Sequence, residues 1–213
     1  MLRFLNLFLM AAVAAGQLYN TSLFSPGTNL IVNPNFASPN IGGVMTQYYS
    51  PGGIPGWTFP NGQIVTISTL CTSFLGSPCP TNATQGFDLD VSNFYELLSQ
   101  AVSITNSAQY LLTLEWLEAV VSPIGKSFEI KINSSSLANI TITTNAYTGN
   151  VNQYIVHGSP GLMNISFQQF GASPPDGLGI LLTGIYLQEL LPIGAPPPPP
   201  PPPVPPAAVP QST

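Results

Sequence analysis

The sequence predicts an all-β chain, a jelly-roll β-sandwich with a polyproline II tail, and three observations carry that prediction. Short segments between residues 29 and 191 alternate apolar and polar side chains at period two, and Gly, Pro, Asn and Ser clusters divide them. No window of helical length shows a 3.6-residue apolar stripe. The stretch between the two unusual ends holds about 165 residues, an ordinary size for one hydrophobic core.

The chain opens on MLRFLNLFLMAAVAAGQ: one Arg, an apolar run, then small residues suited to cleavage. Residues 1–16 read as a secretory signal peptide, too short for a permanent membrane anchor. A buried N-terminal helix is the alternative. No later apolar run is long enough to span a membrane as a helix, so the chain is expected outside the cell or in the wall.

Residues 17–28 contain LYNTSLF, β-favouring residues with no evident slot in the sandwich. They form an N-terminal extension that could donate a strand to the open edge of a neighbouring copy, with Leu18, Leu23 and Phe24 as the assembly residues. Pairing within its own domain is the alternative.

The sandwich domain is expected over residues 29–191. Strands are predicted at 29–36, 63–68, 86–91, 97–104, 109–117, 127–133, 138–144, 152–157, 162–169 and 178–189. Their alternation also assigns faces. Phe128, Ile130 and Ile132 share one face and leave Glu129, Lys131 and Asn133 on the other. Asn139 opposes Ile140, and Asn164 opposes Ile165.

Those asparagines belong to Asn-X-Ser/Thr sequons at Asn20, Asn82, Asn133, Asn139 and Asn164. Glycans there would solubilise a chain in which only 5% of residues are charged, against roughly 25% in ordinary domains. Past the leader the basic residues are Lys126 and Lys131, which excludes a basic surface for nucleic acid. Cys71 and Cys79 close a short loop around a Gly-Ser-Pro turn and read as one local disulfide in an oxidising compartment. A metal pair or a nucleophile would need partners that a chain with one histidine, His157, does not offer.

Residues 192–213 form a proline-rich tail, dominated by GAPPPPPPPPVPP. Proline fixes φ near −65° and lacks an N–H, so this run is a polyproline II rod. Outside the cell such a rod is a spacer and a substrate for proline hydroxylation and sugar attachment.

NLIVNPNFASP, IPGWTF, GFDLDVS, LSQAVSIT, QYLLTLEW and GLGILLTGIYLQEL, in that order, resemble the galactose-binding-like β-sandwich of the DUF642 type of cell-wall protein. The resemblance runs from Asn29 to about Glu189 and implies a jelly roll associated with carbohydrate and without catalytic activity. It makes Asp90 the acid of a Leu-Asp-Leu strand, with a structural or ligand-bonding role. It also implies a structural calcium near acidic positions. Here Ala37 replaces the Glu of the opening motif, and Leu182-Thr183-Gly184-Ile185 replaces an Asp-Asn-Val, so no cofactor or metal is expected.

Sugar clefts need aromatic platforms, because a pyranose stacks its C–H face on a ring. Tyr48, Tyr49, Tyr95 and Tyr147 fall in loops or at strand ends and, with Asp90, form the candidate carbohydrate-binding set. Trp57 belongs to the Gly-Trp motif and is read as core. Asp88 and Asp90, two apart on one predicted strand, share a face and could hold a cation or do acid/base chemistry. Glu115 and Glu118 are read as solvated acids beside Trp116, and His157 as a local turn residue.

Three functions follow in order. The first is a self-assembling structural glycoprotein of the cell surface, wall or an extracellular fibre, with itself and wall polysaccharide as partners. The second is a dispersed, lectin-like carbohydrate-binding module. The third, an enzyme, is disfavoured because no nucleophile–base pair or cofactor loop can be assembled.

Overall fold

The computed structural model describes residues 23–41, 46–49, 52–59, 62–66, 84–91, 94–95, 97–118, 126–142, 149–170 and 180–194. The leader, Leu18, Asn20, Cys71, Cys79, Asn82, Tyr147 and the proline run lie outside the described residues. The described chain is all strand and loop, as predicted. No helix among its described residues is long and apolar enough to cross a membrane.

The strands are β1 (Phe24–Asn29), β2 (Thr46–Tyr49), β3 (Gly62–Thr66), β4 (Gln85–Asp88), β5 (Asp90–Val91), β6 (Phe94–Tyr95), β7 (Leu97–Ile104), β8 (Gln109–Glu118), β9 (Ser127–Ile132), β10 (Ser135–Thr141), β11 (Gly149–His157), β12 (Gly161–Phe170) and β13 (Ile180–Pro192). They build two antiparallel sheets. The larger has the order β11-β8-β13-β4-β3-β2, with β1 also on β13; the smaller has β10-β9-β12-β7. β5 and β6 form a separate hairpin.

The core fills the space between the sheets, and alternation selects its members. From the larger sheet come Leu112, Leu114, Ile185 and Leu187; facing them are Ile130, Ile165 and Phe167. Phe128, Ile130 and Ile132 are at most 3% exposed, as their parity predicted. Each such side chain contributes about 1.5–3 kcal/mol of burial. Phe36, Trp57, Phe59 and Phe87 close one end with ring centroids 5.4–5.8 Å apart.

Several predicted elements move. The expected strand at 29–36 is instead an irregular segment that follows β1. Asn33 and Phe36 adopt φ of 52° and 55°, outside any strand. Asn33 closes the turn: its Oδ1 accepts from Ser38 N at 3.1 Å and its Nδ2 donates to Ser38 O at 2.6 Å. Three further amides fix this segment. Gln85 accepts from Ile41 N at 3.0 Å and donates to Phe36 O at 2.6 Å and Pro39 O at 3.0 Å. Gln100 brackets Val32, accepting its N–H at 2.7 Å and donating to its carbonyl at 3.1 Å. Asn29 accepts from Leu187 N at 2.9 Å.

The expected strand at 86–91 breaks at Leu89, whose N–H turns to Ile180 O at 3.0 Å. Asp88 and Asp90 therefore sit in different strands, β4 and β5, and not two apart on one. Asp88 is wholly buried. Asn133 is not on a strand face. It is the first residue of a two-residue hairpin turn, with φ of 49° followed by 69° at Ser134, the pattern of a type I′ turn.

Of the extension expected to serve a neighbour, the described part pairs within its own chain, the alternative stated for it. Residues 24–28 pair with β13 of their own chain: Phe24 opposes Pro192, Ser25 opposes Leu191 and Pro26 opposes Leu190. Ile193 N donates to Leu23 O at 2.9 Å, so the ordered chain continues past residue 192 to a turn at Gly194. These pairs engage one side of β1, and residues 17–22 of the extension lie outside the described residues.

Candidate functional site

Strand β8 reads QYLLTLEWLE, and its parity sends Tyr110, Leu112, Leu114 and Trp116 into the core. Thr113 and Glu115 consequently stand on the outer face of the larger sheet, both half-buried. On the adjoining β13, Leu182 pairs with Trp116 while Gly184 pairs with Glu115, so a bulge at Thr183 resets the register. After the bulge Gly184 and Tyr186 lie opposite Glu115 and Thr113. On the other side of β8, Val151 and Gln153 of β11 pair with the same two residues. Two adjacent rows result: Val151, Glu115, Gly184 and Gln153, Thr113, Tyr186.

Gly184 is the floor of this patch. A methyl group placed on it would meet Glu115 Oε2 at 2.7 Å, Tyr186 Cε2 at 2.9 Å and the Tyr186 hydroxyl at 3.1 Å. The carboxylate and the phenol ring thus lean over the glycine from two directions, a close approach that any larger residue would obstruct. Gln153 Nε2 donates to Thr113 Oγ1 at 3.4 Å, which orients the amide alongside. Burial, and then the nearby Glu115 charge, push the Tyr186 phenol above its ordinary value, so it remains a neutral hydroxyl donor at physiological pH.

The patch therefore joins a partly exposed ring, a hydroxyl donor, a carboxylate acceptor and an amide on one face. That combination can stack a sugar ring and hydrogen-bond its hydroxyls. Among the described residues, no group of three or more His, Cys, Asp and Glu gathers to hold a metal. Beside Ala37, the carbonyls of Phe36 and Pro39 are both taken by the Gln85 amide.

The sequence-predicted candidates are distributed differently. Asp90 and Tyr95 are brought opposite each other in the β5–β6 hairpin. Tyr48 and Tyr49 lie in β2 at the edge of the larger sheet, paired with Gln63 and Gly62. Trp57 is 3% exposed and donates to Asn33 O at 3.1 Å, a core residue as read. His157 is exposed at the end of β11. Phe24 is half-buried in β1, and Leu23 beside it is 57% exposed.

No protein-family model and no curated protein sequence matches this chain. Among solved structures it is similar to TmCBM61, solved with β-1,4-galactotriose: 10% identity, TM-score 0.46, covering 76% of this chain and 99% of that one. It is also similar to a family 35 carbohydrate-binding module from Clostridium thermocellum, at 13% identity and TM-score 0.43, covering 68% and 98% of the two chains. A third is the module CBM6cm-2 of Cellvibrio mixtus lichenase 5A with cellotriose, at 19% identity and TM-score 0.35, covering 51% and 80%.

Sequence reading passed over Glu115 as a solvated acid and did not consider Tyr186. The available signals were the parity of Thr113 and Glu115 against the leucines of β8, and a lone glycine inside an apolar strand, a mark of a bulge. The described sequons fall on the other sheet. Asn139 on β10 and Asn164 on β12 are exposed, and Asn133 accepts from Asn164 N at 2.8 Å.

Proposed function

We propose that this chain is a non-catalytic, secreted glycoprotein module that binds carbohydrate through the outer face of its larger sheet. The observation that carries the reading is the convergence of Tyr186 and Glu115 over Gly184, flanked by Thr113 and Gln153. Glycans at the exposed sequons and a Cys71–Cys79 bond belong to the same reading, and the proline run serves as a spacer that sets the module away from its attachment. The self-assembling reading is favoured by one feature: Leu23, Leu191 and Ile193, 44–57% exposed, cluster where both ends of the chain leave the sandwich. The pairing of residues 24–26 with β13 of the same chain weighs against it.

The test is retention of the full chain, made in a secretory host, on a panel of insoluble polysaccharides, with light scattering alongside. Retention on at least one neutral polysaccharide is expected from wild type and from Tyr186→Phe, with loss in a folded Tyr186→Ala. Retention on none, or equal retention by Tyr186→Ala, overturns the reading. Growth to high mass in place of retention moves the structural reading ahead.

A further inference from the structure

We infer that the Tyr186 patch prefers an amine-bearing glycan, a polymer of free amino sugars, over neutral and acidic ones; this rests on the carbohydrate-binding reading of the same face. The chain carries three basic residues and eight acidic ones. Of the three, Arg3 falls in the leader. Lys131 is tied to Glu129 at 2.8 Å on the smaller sheet, and Lys126 is 3% exposed. A uronic or sulfated polymer would bring its anions to a half-exposed carboxylate at Glu115 with no cation on this patch to receive them, and like charges in contact repel.

A neutral sugar meets no such penalty and gains ordinary hydrogen bonds. An ammonium group gains more, because a charge-assisted bond to a carboxylate is roughly twice as strong as a neutral one. The stacking ring beside Glu115 adds attraction for a cation held near its face. Around Glu115, the titratable group in contact range among the described residues is Tyr186 on β13, held neutral. Glu189 of β13, Glu118 of β8 and His157 of β11 stand toward the strand ends, and Asp88 of β4 is enclosed. None brings a permanent positive charge to the patch. The position of Gly184 completes the selectivity: with no side chain above it, both Glu115 and the ring remain reachable by one ligand residue.

The experiment titrates the full chain with four soluble oligomers of equal length: β-1,4-linked glucosamine, N-acetylglucosamine and glucose, and a uronate. The buffer is mildly acidic, so that the amine is charged and a carboxylate is ionised. The amine oligomer should bind roughly tenfold tighter than the acetylated and glucose oligomers, with the uronate weakest. Raising salt should erase the preference while leaving neutral binding. Glu115→Gln should do the same at low salt. Should that variant not fold, Thr113→Lys, which sets a cation on the same face, should reverse the order toward the uronate. Equal affinity for the amine and glucose oligomers, or a preference that survives both high salt and Glu115→Gln, overturns the charge assignment and leaves the binding reading intact. Failure to bind any of the four oligomers or any polysaccharide overturns both.

Discussion

Gly184→Ala is the sharpest perturbation of the proposed site, because it adds one methyl group where two functional groups converge. The new Cβ would sit 2.7 Å from Glu115 Oε2 and 2.9–3.1 Å from the end of the Tyr186 side chain. Ordinary contacts lie near 3.5–4.0 Å, so each must retreat by about 0.5–1 Å. Both are the far ends of rotatable side chains and can move without disturbing the sheet. Gly184 has no left-handed φ, so alanine fits the backbone. Its lower unfolded-state entropy contributes about 0.4–1 kcal/mol, which offsets much of the local crowding. Stability should then change by less than about 1 kcal/mol, a Tm shift under roughly 4 °C. Binding should suffer far more. A displacement of that size breaks a hydrogen bond at the carboxylate, worth about 1.5–3 kcal/mol, and misplaces a stacking ring worth about 0.5–1.5 kcal/mol. The sum, about 2–4.5 kcal/mol, corresponds to a loss on the order of 30- to 2,000-fold. Differential scanning calorimetry and titration with a retained polysaccharide read the two quantities separately. Unchanged affinity would refute the assignment of the site. A large fall in Tm would show that Glu115 and Tyr186 are held rigidly for the fold instead of standing free for a ligand.

Two other predictions concern the frame around the site. Gln85→Met keeps the volume but strips partners from Ile41 N, Phe36 O and Pro39 O. It should cost about 3–5 kcal/mol in urea unfolding, well above Gln100→Met, whose partner Val32 is 56% exposed and open to water; the reverse order would show that the loop is held by other contacts. Tyr110, Tyr154 and Tyr186 all have phenols raised above their ordinary value near 10, chiefly by burial. Above about pH 10 the folded chain therefore binds more protons than the unfolded one, and stability should fall as pH rises through that range. Tyr186→Phe should flatten part of the slope, and a pH-independent unfolding free energy there would contradict the burial argument.

The fold was legible where strands have one wet face. β7 matches the predicted limits, and the inward residues of β9 and β12 follow from parity. Legibility fails where that condition fails. In β13, Leu181 and Leu182 are both 0% exposed, so the apolar run has no period to read and the bulge at Thr183 is hidden in it. The opening motif misled because Asn33 and Phe36 both take positive φ, which for a bulky Phe no propensity announces. The β-favouring run read at 18–24 meets β1 only at Phe24, and β1's partner could not be read, since pairing with β13 is a property of the whole sheet. The site was missed for a related reason: Glu115 and Tyr186 come together through register, and each alone is an ordinary strand residue.

The two outer faces divide the work that a chain so poor in charge must do. The smaller sheet presents Asn139, Asn164 and the turn at Asn133, with the Glu129–Lys131 pair between them. Edge strands invite pairing with other chains and are usually guarded by lysine or proline. β1 carries its own guard, because Pro26 lacks an N–H to donate. β10 has neither residue, yet it forms one edge of the smaller sheet and exposes Asn139 at its middle. A glycan there would close that edge by bulk where charge is lacking. The same placement keeps the described sequons off the Tyr186 patch, since the thickness of the core separates the two faces. Were those sequons glycosylated, a foreign glycan could be bound only on a face that the chain's own glycans leave clear, and the proposed site on the larger sheet lies on such a face.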